Sequence, residues 1–472
     1  MLLGLSRNFW LMLIAVVLVT AAAIGLPRAY GVALLGSGYM AKTLCSGLFV
    51  SGRDMDSLMR EDLSGPGLWL LRFFQPAPDA AAKTVTASTY GFAIRTAIHR
   101  DGLGCTLLDG AEAERLRSDA AGLFPPAPLT GNDAEWPEGE RVAARSVPEH
   151  IDGKALESAI DAIFAEPDPN HPRQTRALVV VHGGRIVAER YARGFNAHMP
   201  LIGWSMAKTA INVLAGMRVE DGALTLDGDA LMPGWRTEDS PKRAITLDEL
   251  MRMTSGLFFS ENYNDDLSNV AQMLFVQGNA GGFAASKPLA HKPGTVWSYS
   301  SGTTNIIASV LRETFGDARD YLRFPRLRLF KPLGMRSAVL EPDAAGGFVG
   351  SSFLYASARD WARLGLLFLR DGLWQGKRLL PEGWVTYSLR PTPQSPGGQY
   401  GAQVWLKLPS APGFGEPPMP DDAYYMLGYN GQVAVMVPSR DLVVVRLGHT
   451  PKGGDWETAR DLAPLVNAFP AR

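Results

Sequence analysis

The chain has 472 residues, of which 46% are hydrophobic and 20% charged, so it can bury a large core and is expected to form two or three domains. Its 46 Lys and Arg residues balance 47 Asp and Glu residues, and the charges are spread along the chain, which argues against a nucleic-acid partner. Its two cysteines, Cys45 and Cys105, cannot build a zinc cluster with C-x-x-C spacing and are too few for a disulfide-dense scaffold, but they allow one structural disulfide. A small-molecule site is the favoured interpretation.

An uncharged apolar run occupies residues 9–26, between Arg7 and Arg28. It is just long enough to span a bilayer as a helix. The small residues Ala21 to Ala23 also fit the cleavage site of a signal peptide. Residues 1–27 are therefore predicted to be either a membrane anchor or a signal peptide.

In both cases the rest of the chain would be exported, so the protein is expected to be periplasmic, membrane-anchored or secreted. If the helix is uncleaved, the membrane is itself a partner. An oxidising compartment would let Cys45 pair with Cys105. Residues 28–150 mix apolar stretches with Gly and Pro and carry no catalytic signature, so they are predicted to be an extension that ends in a Pro-rich linker.

The main domain is predicted to cover residues 151–472. Two β-hairpins are expected, one around Gly183-Gly184 and one around the turn at 438–441, because runs of Val and Leu flank both turns. Mostly helical segments lie between them, at residues 207–219, 247–253, 305–314 and 358–369. The pattern predicts an α+β fold, with an antiparallel sheet flanked by helices and a mainly helical lobe.

One S-x-x-K motif, Ser205 to Lys208, opens an amphipathic helix. Residues three apart share a helical face, so the lysine amine can reach the serine hydroxyl. A lysine whose pKa is lowered by burial can act as the base that a serine nucleophile requires. Two further elements follow: Tyr299, in a loop that leads into a helix, and Gly428-Tyr429-Asn430-Gly431-Gln432, which enters the last hairpin.

These three ordered elements resemble the serine β-lactamase and penicillin-binding-protein superfamily, above all its class C branch of esterases, D-aminopeptidases and 6-aminohexanoate-dimer hydrolases. The class C pattern is S-x-x-K, then Y-x-N, then K-T-G. The resemblance runs from about Leu178 to the C-terminus and includes residues 250–257, 350–352 and 359–365. It implies the β-lactamase/transpeptidase-like fold.

The resemblance also implies roles for individual residues. Ser205 would be the nucleophile, Lys208 its general base and Tyr299 the group that passes the proton to the leaving group. The oxyanion hole would use the backbone N–H groups of Ser205 and Gln432, with Gly431 allowing the backbone to come close. The implied reaction is hydrolysis of a small-molecule amide or ester through an acyl-enzyme, with no metal or organic cofactor.

The chain departs from the class C pattern at two motifs. Ser301 stands in place of Asn, and Tyr429-Asn430-Gly431 in place of K-T-G, which removes the cation that would face a substrate carboxylate. These departures put efficient recognition of β-lactams or of D-Ala-D-Ala in doubt. Residues 260–265 resemble the substrate-covering loop of the 6-aminohexanoate-dimer hydrolases, in which Tyr263 would contact substrate. The alternative is that Tyr263 packs at the surface of a polar loop. A proline-rich insertion at 407–422 is either a rim to the site or a surface loop.

Two other functions compete. Residues 203–207 resemble a degenerate G-x-S-x-G elbow, which with Asp441 and His449 would make an α/β-hydrolase triad. The absence of a strand-like pattern before Ser205 argues against it. The chain could also be a membrane-tethered binding or sensor module that is acylated without turnover.

Overall fold

The structure is a computed structural model that describes residues 7–65, 67–110, 113–124, 133–142, 147–263, 265–409 and 419–471. Two parts of the chain are considered in turn: an N-terminal unit, residues 7–124, and a C-terminal domain, residues 147–471.

The N-terminal unit contains a long helix, two short helices and four strands. In chain order these are α1 Arg7–Phe49, α2 Met55–Glu61, β1 Phe74–Asp79, β2 Thr84–Thr89, β3 Phe92–Arg100, β4 Gly104–Leu107 and α3 Ala113–Ala120.

The C-terminal domain consists of a central sheet, whose strands come from both ends of the domain, and of mostly helical segments between them. Its elements are α4 Gly153–Phe164, β5 Thr175–His182, β6 Arg185–Tyr191, β7 Leu201–Ile202, α5 Ala207–Glu220, α6 Leu247–Met251, α7 Asn269–Phe275, α8 Ala280–Ala285, α9 Ser301–Glu313, α10 Ala318–Pro325, α11 Lys331–Leu333, β8 Val339–Leu340, β9 Leu354–Ala356, α12 Ala358–Leu369, β10 Leu373–Trp374, β11 Lys377–Arg378, α13 Trp384–Ser388, β12 Tyr424–Gly428, β13 Gln432–Val437, β14 Leu442–Gly448 and α14 Thr458–Asn467.

The main sheet is antiparallel, with the strand order β12-β13-β14-β5-β6. It contains both predicted hairpins, and it joins them because β14 pairs with β5, with Val444 opposite Val180. Those two residues pack with α4 and α14 on one face of the sheet, whereas Val179 and Val443 pack with α12 on the other. Burial on both faces explains why these strands read as unbroken apolar runs.

The N-terminal unit folds around its own core. Its four strands form an antiparallel sheet in sequence order, and the second half of α1 packs against it through Met40 and Leu44. A disulfide between Cys45 and Cys105 joins α1 to β4. The sequence indicated none of this sheet, because its strands carry short, mixed runs of Thr, Ala and Pro rather than continuous apolar stretches.

The helix α1 differs from the predicted anchor or signal segment. It runs from residue 7 to residue 49 and passes through Pro27, where the predicted segment ends. Within the described part of the chain, no helix is both long and apolar enough to cross a membrane, so the predicted membrane helix is not supported. The side chains of residues 17–24, which include the predicted cleavage site, lie outside the described part.

Candidate active site

Ser205 lies in a 3₁₀ turn, Trp204–Met206, that leads directly into α5. Trp204 has a φ of +47°, a left-handed conformation that is strained for a residue with a side chain. Glycine is required just before it, because a Cβ at Gly203 would lie 2.1 Å from a ring atom of the buried Trp361. The turn leaves Ser205 half-buried, so part of the residue is accessible to a ligand.

Lys208 lies one helical turn further on and is buried. Its Nζ is 2.9 Å from the Oγ of Ser205, 3.1 Å from the Oγ of Ser301 and 3.2 Å from the carbonyl oxygen of Ser351. Burial lowers the pKa of Lys208 to about 8, and the negative charge of Glu261 acts in the opposite direction. An amine with this pKa is partly neutral near neutral pH and can then accept a proton.

Tyr299 completes a cluster around the serine. The Ser205 side chain lies close enough to the Tyr299 hydroxyl to lower its pKa, and the Tyr299 ring centroid lies 4.9 Å from Nζ of Lys208. Burial raises the pKa of Tyr299, which keeps the phenol protonated. Trp405 and Tyr400 pack against this ring at centroid distances of 5.2 and 5.8 Å. The structure therefore brings together the three side chains that the sequence proposed for catalysis.

Glu261 is a member of the site that sequence reasoning missed. Its carboxylate accepts hydrogen bonds from the backbone N–H of Ser301, at 2.8 Å, and from the Ser301 hydroxyl, at 2.5 Å. The same hydroxyl accepts a hydrogen bond from Lys208. Glu261 therefore lies at the N-terminus of α9, where the helix dipole favours a carboxylate. The Ser301 hydroxyl bridges Glu261 and Lys208 by hydrogen bonds to both. No local pattern showed that this loop would reach residue 301.

The predicted substrate residues Tyr263 and Tyr429 form an aromatic wall beside the serine. Their rings are stacked at 4.8 Å with an interplanar angle of 15°, and Trp204 meets Tyr429 edge-on at 5.6 Å. Both tyrosines remain more than one-third exposed. The Tyr263 hydroxyl is 3.3 Å from Oε1 of Glu261. The wall therefore presents open aromatic surface next to a carboxylate.

The third predicted motif packs against the nucleophile turn through Gly428, where a Cβ would lie 2.2 Å from the carbonyl oxygen of Gly203. A Cβ at Gly431 would instead meet Arg446 and Trp456. Asn430 and Gly431 both have positive φ, at +60° and +78°, so they shape the turn between β12 and β13.

Gln432 begins β13 opposite Gly428. Its buried side chain bonds both backbone groups of Gly448, donating at 2.6 Å and accepting at 3.0 Å. These bonds fix the start of the strand. The proposed use of the Gln432 backbone N–H as an oxyanion donor stays a prediction.

The competing triad does not form. Asp441 and His449 lie at opposite ends of the seven-residue strand β14, roughly 25 Å apart at about 3.4 Å per residue. His449 is buried, which lowers its pKa to about 4, and its Nδ1 is 3.4 Å from Oδ1 of Asp62. The α/β-hydrolase interpretation is therefore wrong.

Two predictions remain, one on the proline-rich insertion and one on metal binding. Residues 410–418 of the proline-rich insertion lie outside the described residues, so the rim or lid stays a prediction. Among the residues that are described, no group of His, Cys, Asp or Glu side chains is arranged to hold a metal ion.

The antiparallel fold, with a lysine bonded to a serine at the start of a helix, defines a serine hydrolase. Residues 160–468, more than half of the chain, match the model of the Beta-lactamase family, and the chain belongs to this family. The predicted superfamily resemblance and α+β fold are thereby confirmed.

The chain is similar to known hydrolases. A 6-aminohexanoate-dimer hydrolase from Paenarthrobacter ureafaciens is 23% identical over 304 residues, which cover 59% of this chain and 73% of the relative. A family VIII carboxylesterase structure aligns with a TM-score of 0.53 at 13% identity, covering 70% of this chain and 99% of its own. A proposed 6-aminohexanoate-dimer hydrolase from Bacillus anthracis aligns with a TM-score of 0.51 at 23% identity, covering 63% and 78%.

Proposed function

We propose that the protein hydrolyses an amide or ester bond of a small molecule through a covalent acyl-enzyme on Ser205. The observation that carries this proposal is the 2.9 Å contact between a buried lysine, whose pKa is about 8, and the hydroxyl of a half-exposed serine. Tyr299 lies beside the same serine and its lysine, so both proton-handling groups adjoin the nucleophile.

In the proposed reaction, neutral Lys208 takes the proton of Ser205 as Oγ attacks the substrate carbonyl. The resulting oxyanion would be stabilised by the backbone N–H groups of Ser205 and Gln432. Tyr299 would pass a proton to the leaving amine or alcohol, and the proton held by Lys208 would restore the phenol. A water molecule then attacks the acyl-enzyme and releases the acid, so protons balance over the cycle.

The proposed substrate is an uncharged or extended acyl compound rather than a β-lactam. The third motif supplies no lysine to face a substrate carboxylate, and the stacked Tyr263 and Tyr429 offer aromatic surface instead. The likeness to a 6-aminohexanoate-dimer hydrolase supports a linear amide, and the likeness to a carboxylesterase fold is compatible with an ester.

The proposal is tested by steady-state hydrolysis of p-nitrophenyl acetate, p-nitrophenyl butyrate and a linear aminohexanoate amide. Ser205→Ala and Lys208→Ala are expected to lose at least about 10³-fold in kcat/KM, and Tyr299→Phe a smaller factor. Ser298→Ala is the matched control, because this exposed serine lies next to Tyr299 in sequence. Retained activity in Ser205→Ala would refute the proposal.

The same assay separates the hydrolase from the sensor module. A sensor would give one burst of product per Ser205 and no steady state. The hydrolase is expected to continue for many turnovers, because the same lysine and tyrosine can assist the attack of water.

We further propose that the protein acts outside the cytoplasm, as the N-terminal apolar run first indicated. The Cys45–Cys105 disulfide supports this location, since such bonds persist in oxidising compartments. Fractionation of the source cells, with redox-state labelling of the two cysteines, tests it; reduced cysteines in a cytosolic fraction would contradict it.

A further inference from the structure

Large apolar side chains are exposed at one end of the N-terminal unit. Four aromatic residues and one isoleucine form this set, which we call the aromatic end: Trp69, Phe73, Tyr90, Phe92 and Ile94. Tyr90 and Phe92 are 70% and 72% exposed. Proteins that are soluble as monomers rarely leave such a group uncovered, so it calls for a partner.

The backbone explains why these residues meet. Phe74 of β1 pairs with Thr89 of β2, so the segment before β1 and the turn between β2 and β3 lie at the same end of the sheet. The Thr89 hydroxyl donates to the Phe73 carbonyl at 3.2 Å, and the Tyr90 N–H donates to the Gln75 side chain at 2.9 Å. The two segments are therefore held together rather than merely adjacent.

The helix α1 reaches this end as well. A Cβ at Gly36 would lie 2.4 Å from the Phe74 ring, and Tyr30 is near enough to Arg95 of β3 to interact electrostatically with it. Leu26 and Tyr30 are themselves exposed. The apolar surface of the aromatic end therefore continues onto the helix.

The charges within the segments that build this surface have one sign, and one acidic residue, Asp109, lies beside them. The segments that build it, residues 25–40, 67–78 and 84–98, contain three arginines and no Asp or Glu. Arg95 is paired with Asp109, at 3.6 Å. Arg72 lies over the rings of Trp69 and Phe73, at 5.2 and 4.8 Å, and Arg28 is on the exposed part of α1.

Aromatic rings beside exposed arginines are suited to the lipid–water interface, where rings lie at headgroup depth and cations meet anionic phosphates. We propose that the aromatic end docks on the surface of a membrane that contains anionic phospholipid. Docking of this kind buries apolar side chains to headgroup depth and does not require any helix to cross the bilayer. It is also independent of the proposed catalytic function.

Docking would hold the candidate active site near the membrane. Gly31 of α1 packs against Leu267, which follows the loop that carries Glu261 and Tyr263. The same helix that extends the aromatic end therefore contacts the chain next to the loop that brings Glu261 and Tyr263 to the candidate site.

A single-site fluorescent probe tests the proposal on the full chain. Both native cysteines are in the disulfide, so a cysteine introduced by Tyr90→Cys can be labelled alone with an environment-sensitive dye. With phosphatidylglycerol-containing vesicles, the emission is expected to shift to the blue and to be quenched by doxyl-labelled lipid. Leu327→Cys, at an exposed residue of the C-terminal domain, is the control and should show neither change.

A binding measurement completes the test. Trp69→Ser combined with Phe92→Ser is expected to weaken vesicle binding about tenfold or more, whereas Leu327→Ser combined with Leu373→Ser should leave it unchanged. Vesicle binding without quenching at residue 90 would overturn the proposal, because the helix alone would then hold the membrane. Absence of binding would overturn it too, as would a probe signal that depends on protein concentration without lipid, which would indicate self-association.

Discussion

The C-terminal domain and the N-terminal unit differ in how far apart in sequence their most important contacting residues are. Ser205 and Lys208 are three residues apart, so one helical turn places the amine against the hydroxyl. In the N-terminal unit the decisive contacts join distant residues, such as Cys45 with Cys105 and Lys42 with Glu341. Side chains that act together and lie close in sequence can be recognised from a motif. The fold of a unit that is stabilised by contacts between distant residues cannot be recognised in this way.

The two regions are also connected more closely than a linker would connect them. Lys42 and Ser46 of α1 bond the buried Glu341 of the C-terminal domain, which also accepts the backbone N–H of Cys105 at 2.6 Å. Asp62 similarly pairs with Arg176 of β5 at 2.8 Å. The N-terminal unit is thus expected to stabilise the domain on which it packs.

The largest expected effect comes from breaking that connection. Glu341→Gln leaves the buried Lys42 ammonium without its counter-charge and should lower the free energy of unfolding by about 3–5 kcal/mol, measured by urea denaturation. Lys42→Met combined with Glu341→Leu removes both charges and should cost less. If Glu341→Gln unfolds at the wild-type urea concentration, the two regions are not energetically coupled through this pair.

A smaller effect is expected within the C-terminal domain. Gly203→Ala would place a methyl group against Trp361 and should cost about 1–3 kcal/mol in stability. It should also displace Ser205, so kcat/KM on p-nitrophenyl butyrate is expected to fall by up to about 10²-fold. Gly234→Ala is the control, since a Cβ there meets nothing within 4 Å. Equal activity in the two variants would show that the turn tolerates displacement.

The smallest expected effect concerns Glu261. Its charge raises the pKa of Lys208, so Glu261→Gln should let the lysine lose its proton at lower pH and shift the acidic limb of the kcat/KM profile downward. The change in rate at any fixed pH should stay below about tenfold.

Asp266→Asn removes the same charge from an exposed position in the same loop and provides the control. An unshifted profile in Glu261→Gln, with lower activity at every pH, would show that Glu261 acts only by holding Ser301 in place.

Much of the C-terminal domain could be predicted because its signals are short-range. Both hairpins follow from Val-rich runs around Gly and Pro turns, and the helix predicted at residue 207 begins there. The helix predicted from residue 305 starts at Ser301, since the Ser300 side chain caps it by accepting the Thr303 N–H. Such a cap is a local signal that sequence reading can use.

The rest depended on contacts that no local pattern encodes. Glu261 reaches Ser301 across 40 residues of chain, so its place in the site followed only from the structure. The sheet of the N-terminal unit is built from strands with weak periodicity, and α1 continues across the predicted boundary at residue 27. Long-range packing against this sheet, rather than local helix propensity, accounts for the second half of α1.

The most direct test of the proposed catalysis is the rate at which Ser205 becomes acylated, followed by mass spectrometry across a range of pH with p-nitrophenyl butyrate. Only the deprotonated form of Lys208 can act as the base, so the rate should rise with pH through a midpoint near the pKa of about 8. The adduct should lie on Ser205, and Lys208→Ala should abolish the rise. An adduct on another residue, or a rate on Ser205 that Lys208→Ala leaves unchanged, would contradict the account.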